Sequence, residues 1–165
     1  MTLTVVMVDD HPLIIAGLRR ALEAEDGFTV VGEAGSIATA LAAEEEHRPR
    51  VMLIDVNLGD PEGDGIDLVA RLRAKRPDLG LVILTMLEDD ALLLRALSAG
   101  ASAYVRKTAT TGEVVAALRH AARSPRTYRA AGLEPGWCVG GDFYGALFFV
   151  GLLVFMLGLL FLGFG

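Results

Sequence analysis

Cysteine is almost absent: Cys138 is the only one in 165 residues. This excludes an internal disulfide and a cysteine-ligated metal cluster, and it fits a reducing compartment. Basic charge is scarce as well. Fifteen Lys and Arg face 21 Asp and Glu, for a net charge of -6, and every basic residue lies at or before Arg129. Such a balance argues against a nucleic-acid partner, whose phosphates call for a basic surface. After Asp142 charge of either sign is missing altogether. The opening MTLTVVMVDD, with a short apolar run that turns acidic at once, does not read as a signal peptide. The uncharged end inflates the 53% hydrophobic content, which therefore does not measure a globular core.

What is present, from Leu3 to Ala122, is an alternation of short apolar runs with amphipathic stretches. The runs are LTVVMV (3–8), FTVVGEA (28–34), RVMLID (50–55), LGLVILT (79–85) and SAYVRK (102–107). Several are apolar without a polar alternate, the pattern of strands buried on both faces of a parallel sheet. Between them Pro12 suits the first turn of a helix carrying Leu13, Ile14, Leu18 and Leu22. Ser36 suits the cap of a second helix, and Ile66, Leu68, Val69 and Leu72 mark a third. A fourth is expected from Glu88 to Ala99, ended by Gly100, and a fifth opens on the capping box Thr110 to Glu113. Five strands alternating with five helices predict an open, doubly wound α/β sheet over residues 1–123.

In such a sheet, functional residues gather at the carboxyl ends of the strands. Standing there are Asp9 and Asp10, then Asp55, then Thr85, then Arg106 and Lys107. Taken singly, each has an ordinary role as a cap, a turn or a solvated charge. His11 reads as a bystander at a helix start. Jointly they describe three crowded carboxylates, a hydroxyl and a cation. Crowded carboxylates demand raised pKa values or a neutralising cation. A set of hard oxygens suits Mg²⁺, which takes one or two carboxylates and keeps several waters. Lysine and threonine then serve as donors to a phosphoryl group, and an aspartate can itself be the nucleophile. The residues thus point to Mg²⁺-assisted phosphoryl transfer onto an aspartate.

The stretches VVMVDDHPLIIAGL (5–18), VVGEA (30–34), VMLIDVNL (51–58), DGIDLVARLR (64–73), VILTM (82–86) and GASAYVRK (100–107) resemble a response-regulator receiver domain of the NarL/FixJ type. The resemblance implies a flavodoxin/CheY-like (βα)5 fold with a five-stranded parallel sheet. It implies that Asp55 is the phospho-acceptor, that Asp9 and Asp10 hold Mg²⁺, and that the backbone carbonyl of Asn57 joins them. Lys107 would pair with the phosphoryl group, and Thr85 and Tyr104 would form the switch pair. The expected donor is a sensor histidine kinase or a small phosphodonor. The chain is then a signalling phospho-acceptor and not an enzyme, apart from autophosphorylation and autodephosphorylation. Two departures stand out. Gly59 and Asp60 read as an insertion beside the acceptor, where Asp60 and Glu62 add negative charge. Thr108 follows Lys107 in place of the family's common proline, and a cis bond without proline costs about 3 kcal/mol, so a trans bond is expected. A phosphatase of the haloacid dehalogenase kind would want Asp-x-Asp at the nucleophile, and Asp55-Val56-Asn57 lacks the second acid.

Residues 124–142, SPRTYRAAGLEPGWCVGGD, read as a linker. Relatives of this type continue into a helix-turn-helix domain. No basic recognition helix follows Leu133 here, so direct DNA binding by this chain is not expected. Residues 143–165 form an apolar run long enough for a single membrane-spanning helix, at about 20 residues for 30 Å. Arg123, Arg126 and Arg129 on its near side would keep the receiver cytoplasmic, at the inner face of the membrane. The run reads as an anchor, as a packing element, or as the product of a frameshift or truncation. An anchored receiver would act by protein contact or as a phosphate sink. A homodimer through the helix 4–strand 5–helix 5 face is expected to draw on Leu92 to Leu94, Leu97, Val114 and Leu118.

Overall fold

The computed structural model describes residues 2–86, 89–130 and 138–139, with the backbone alone for 128–130 and 138–139. Five strands, β1 (Leu3–Val8), β2 (Phe28–Ala34), β3 (Val51–Asp55), β4 (Gly80–Thr85) and β5 (Ala103–Arg106), pair in parallel in the order β2-β1-β3-β4-β5. Five helices, α1 (Pro12–Glu23), α2 (Ile37–His47), α3 (Gly65–Lys75), α4 (Asp90–Ala99) and α5 (Thr111–Arg123), cover the two faces. This is the doubly wound α/β fold that the alternation predicts.

The unbroken apolar runs have a simple cause. Alternate residues of a strand point to opposite faces. Val6, Val8, Met52, Ile54, Leu81 and Ile83 pack beneath α2, α3 and α4. Their neighbours Val5, Met7, Val51, Leu53, Val82 and Leu84 pack beneath α1 and α5. Every residue of β3 and β4 is buried.

Local chemistry sets the helix ends. Pro12 opens α1, and reciprocal capping boxes open α2 at Ser36 and Thr39 and α5 at Thr110 and Glu113. A third box, Asp64 with Asp67, opens α3. Helix α4 is capped by Asp89 and ends at Gly100 in the left-handed conformation. It therefore starts later than the sequence pattern suggests, and Glu88 lies outside the described residues. No peptide bond among the described residues is cis, as expected after Lys107.

Part of the stretch whose composition reads as linker extends the sheet. Strand β6 (Tyr128–Ala130) pairs in parallel with β5, and β7 (Cys138–Val139) pairs antiparallel with β6. Arg73 holds the segment leading there. All five of its guanidinium donors are used, a complete satisfaction of the fork. Nε donates to the Gly100 carbonyl at 2.9 Å, Nη1 to the Pro77 and Leu79 carbonyls at 2.8 and 2.9 Å, and Nη2 to Ser102 Oγ at 3.2 Å and the Pro125 carbonyl at 2.8 Å. The expected anchor helix at 143–165 lies outside the described residues. Among the described residues no helix is long and apolar enough to cross a membrane.

Two substitutions test this account. Arg73→Lys supplies a point charge in place of a five-donor fork and is expected to cost about 2 kcal/mol in urea unfolding. Gly65 N–H donates to the Val56 carbonyl at 2.8 Å, and a Cβ at Gly65 would collide with the Asp55 carbonyl oxygen. Gly65→Ala is therefore expected to lose about 3 kcal/mol or more, read from the same unfolding curves. A neutral result at either position contradicts the packing described.

Candidate functional site

The carboxyl ends of β1, β3, β4 and β5 bring the predicted residues together. Asp9 follows β1 and is 4% exposed, and Asp55 ends β3 at 2%. Lys107, one residue past β5, donates from Nζ to Asp9 Oδ2 at 2.7 Å and to Asp55 Oδ2 at 2.8 Å. The backbone places these side chains firmly. Asp9 N–H donates to the Ala34 carbonyl at 3.0 Å, Val56 N–H to the Leu84 carbonyl at 3.1 Å, and Lys107 N–H to the Thr85 carbonyl at 2.7 Å. Asp10 stands at the rim, its side chain 33% exposed.

His11 is not the bystander that its position at a helix start suggests. Its backbone N–H donates to Asp9 Oδ1 at 2.8 Å, and its Nδ1 lies 2.7 Å from Asp10 Oδ1 and 3.1 Å from Asp9 Oδ1. One ligand atom from each of Asp9, Asp10, His11 and Asp55 falls within 4.8 Å of the others. The oxygens of this set fit a hard divalent cation. Carboxylates alone supply three of its four ligand atoms, and a buried lysine already shows that positive charge is accepted between them.

The electrostatics are those of a pocket short of positive charge. Burial pushes the Asp55 carboxyl above its ordinary pKa, against the opposing hydrogen bond and charge of Lys107; Asp9 pushes it further up, and the Asn57 N–H pulls it down. Burial pulls Lys107 down, but the hydrogen bonds and charges of Asp55 and Asp9 outweigh it and leave its pKa raised. Thr85 is fully buried at the end of β4, and Tyr104 is 6% exposed on β5. Burial raises the Tyr104 pKa, a hydrogen bond with the Thr85 side chain opposes the rise, and the Asp89 charge adds to it. The expected switch pair is therefore in direct contact, with the ring already inside.

Asp60 and Glu62, read in the sequence as added negative charge beside the acceptor, have their carboxylates engaged by partners outside the acid cluster. Asp60 Oδ2 accepts the Ile37 N–H at 2.7 Å and Oδ1 accepts the Glu62 N–H at 2.9 Å. The Glu62 carboxylate turns to Arg71 Nη1 at 3.1 Å. No local sequence signal announces the Asp60 contact, because its partner lies 23 residues away. The DDHP run could have flagged His11, since adjacent side chains in a loop share one small volume.

Of the apolar residues expected on a dimer face, Val114 and Leu118 are core, and Leu92, Leu93 and Leu97 are partly buried against it. Leu94 is the widely exposed one, at 61%. Beside the acid pocket, a groove of 360 Å³ between α1 and α5 is lined by Leu13, Ile14, Leu18, Met86, Lys107 and Val114, among others.

The chain matches the model of the response regulator receiver domain over residues 5–119. It is 43% identical over 129 residues to the DNA-binding transcriptional activator DevR/DosR of Mycobacterium tuberculosis, covering 77% of this chain and 58% of that one. It spans little more than half the length of the curated relatives it matches. Among solved structures it is similar to a LuxR-family two-component response regulator from Aurantimonas sp. SI85-9A1, with a TM-score of 0.72, 32% identity, and coverage of 82% of this chain and 91% of that one. It is also similar to the isolated REC domain of RcsB from Salmonella enterica serovar Typhimurium with phosphomimetic BeF3-, with a TM-score of 0.69 and 26% identity, covering 78% and 94%.

The pKa directions yield a signed prediction. A carboxyl whose folded pKa is raised favours folding most below its unfolded pKa and loses that contribution as pH rises through the folded value. Asp55→Asn cannot ionise, and Lys107 keeps Asp9 as partner. The variant is therefore expected to unfold at a higher temperature than the parent at pH 7, without divalent cations. The gain should shrink as pH falls through the carboxylate range, as calorimetry across pH would show. A variant less stable than the parent at pH 7 would contradict the charge balance described.

Proposed function

The chain belongs to the response-regulator receiver family, the signalling phospho-acceptor domain of two-component systems, and on that premise we propose that Asp55 accepts a phosphoryl group with Mg²⁺ held beside it. The observation that carries the reading is the double contact of Lys107 with Asp9 and Asp55, across 98 and 52 residues of chain. Asp9 and Asp10, with the Asn57 backbone carbonyl, are the proposed holders of the metal.

An Asp55 oxygen attacks phosphorus of a phosphohistidine or of a small acyl phosphate. The bond from phosphorus to the imidazole nitrogen or acyl oxygen breaks, and its electron pair leaves with that group, as an imidazole that takes a proton from solvent or as a carboxylate that needs none. Asp55 becomes an acyl phosphate. The burial that raises its pKa also makes its carboxylate a stronger nucleophile. Bound Mg²⁺ supplies charge neutralisation for the phosphoryl oxygens. Lys107 moves from the Asp55 carboxylate to a phosphoryl oxygen, a short shift for an ammonium on a flexible stem. Thr85, at the end of the neighbouring strand, donates its hydroxyl to the same group. That rotation breaks its contact with Tyr104, and this is how the phosphoryl group reaches the β5 surface.

A sensor histidine kinase is the proposed donor in the cell, which sets the receiver on the cytoplasmic side. Its site of contact is the apolar groove between α1 and α5, which opens beside Lys107 and exposes Leu13 at 88% and Met86 at 63%. DevR/DosR is named for DNA binding; the role assigned to residues 5–119 here is phosphoryl acceptance and not DNA contact.

Incubating the full chain with Mg²⁺ and acetyl phosphate is expected to add the mass of one phosphoryl group. Asp55→Asn should abolish the gain, and chelation of Mg²⁺ or Lys107→Ala should slow it at least ~100-fold. A gain that persists undiminished in Asp55→Asn would remove Asp55 from the acceptor role.

A further inference from the structure

Asp60 sits in the connection between β3 and α3, and the phosphoryl chemistry gives it no part. Both of its carboxylate oxygens are nonetheless committed, Oδ2 to the Ile37 N–H at 2.7 Å and Oδ1 to the Glu62 N–H at 2.9 Å. Ile37 is the first residue of α2, and its N–H is one of the four that a helix leaves unpaired at its start. The helix's own capping box does not serve it, because Ser36 Oγ accepts from Thr39 N–H. Asp60 therefore caps α2 from another loop. Its carbonyl accepts the Gly63 N–H at 3.2 Å and closes the turn behind it.

The result is a loop held at both ends. At the near end, Val56 N–H donates to the Leu84 carbonyl at 3.1 Å and Gly65 N–H to the Val56 carbonyl at 2.8 Å. At the far end, Asp60 is tied to α2. Between them lie Asn57, Leu58 and Gly59. Leu58 is buried in the core at 3% exposure. Gly59 has φ +56°, and a Cβ there would stand 3.1 Å from Asp10 Oδ2, so the loop runs against the rim of the acid pocket. Asn57 N–H reaches the Asp55 carboxylate. The short span that carries the proposed carbonyl ligand thus has little freedom while the tether holds.

We propose that Asp60 is a positioning residue for the divalent cation: by tying the β3–α3 loop to the start of α2, it fixes the Asn57 backbone and Gly59 against Asp10 and so sets the cation affinity of the acid pocket. The inference rests on the Mg²⁺ reading of that pocket. It also gives the insertion a purpose, since Gly59 supplies the left-handed turn and Asp60 the anchor.

Mg²⁺ titration of the full chain, followed by amide NMR shifts with no phosphodonor present, reads the dissociation constant directly. Asp60→Ala is expected to raise it about tenfold, the usual cost of losing an outer partner of a metal site. Asp60→Asn keeps one carbonyl acceptor, is the milder change to folding, and should raise the constant by less. Ser36→Ala removes another cap of α2 without touching the loop and should leave the constant as in the parent. If both Asp60 variants bind Mg²⁺ as the parent does, while α2 amides exchange faster, Asp60 is a helix cap alone and the positioning role is overturned. If Ser36→Ala weakens Mg²⁺ as much as Asp60→Ala, the effect belongs to α2 and the role is likewise overturned. A parent with no Mg²⁺-dependent shifts would overturn the metal reading itself, and this inference with it.

Discussion

The structure turns on one buried ammonium. Lys107 Nζ lies 2.7 Å from Asp9 and 2.8 Å from Asp55, and all three side chains are largely out of water. Removing either sign would leave the other uncompensated, which costs several kcal/mol in a protein interior. The contact also demands a particular sheet. In the order β1-β3-β4-β5, the lysine's strand is separated from that of Asp55 by β4 and from that of Asp9 by one strand more. Neighbouring strands stand about 4.8 Å apart, so only a long side chain crossing over the sheet's carboxyl edge can make both contacts. The β4 backbone fixes where that side chain starts, through the Thr85 carbonyl. A slip of register in any of these strands would send the ammonium or a carboxylate to the wrong side of the edge.

Much of this was legible in the sequence. The apolar runs located β1 to β5 to within a residue, because strands covered on both faces need no polar alternate. Asp9, Asp55 and Lys107 could be brought together before any coordinates, since a doubly wound sheet gathers its strand ends. The pairing of Thr85 with Tyr104 was implied by the family resemblance alone, since Tyr104 lies inside β5 and not at its end. The parts that were not legible depend on pairs far apart in sequence and on weak local signals. Nothing in SPRTYRA announces that Tyr128–Ala130 will add a strand, for that depends on Arg73 and Ser102 holding the Pro125 carbonyl. Likewise Asp60 looks like one more acid beside the acceptor until Ile37 is placed next to it. Composition counts charges; only the fold says which of them are already used.

A second buried carboxylate offers a contrast with the acid pocket. Glu44 of α2 is 0% exposed, deeper than Asp9 or Asp55. Three cations surround it: Arg76 at 2.8 Å, Lys75 at 3.4 Å and Arg48 at 3.7 Å. Lys75 also pairs with Glu45 and Arg76 with Asp78, so three bases meet three acids and the charges balance, in a cluster that holds α2 to α3. The pocket at the strand ends is not balanced in this way, with three acids to a single lysine, and burial there raises the Asp55 pKa. Such a deficit is met by a raised pKa, as at Asp55, or by a neutralising cation. The same chain thus holds buried carboxylates in two different charge settings. The one left short of positive charge, at the edge where four strands end, is the one to which the proposed cation and phosphoryl group are assigned.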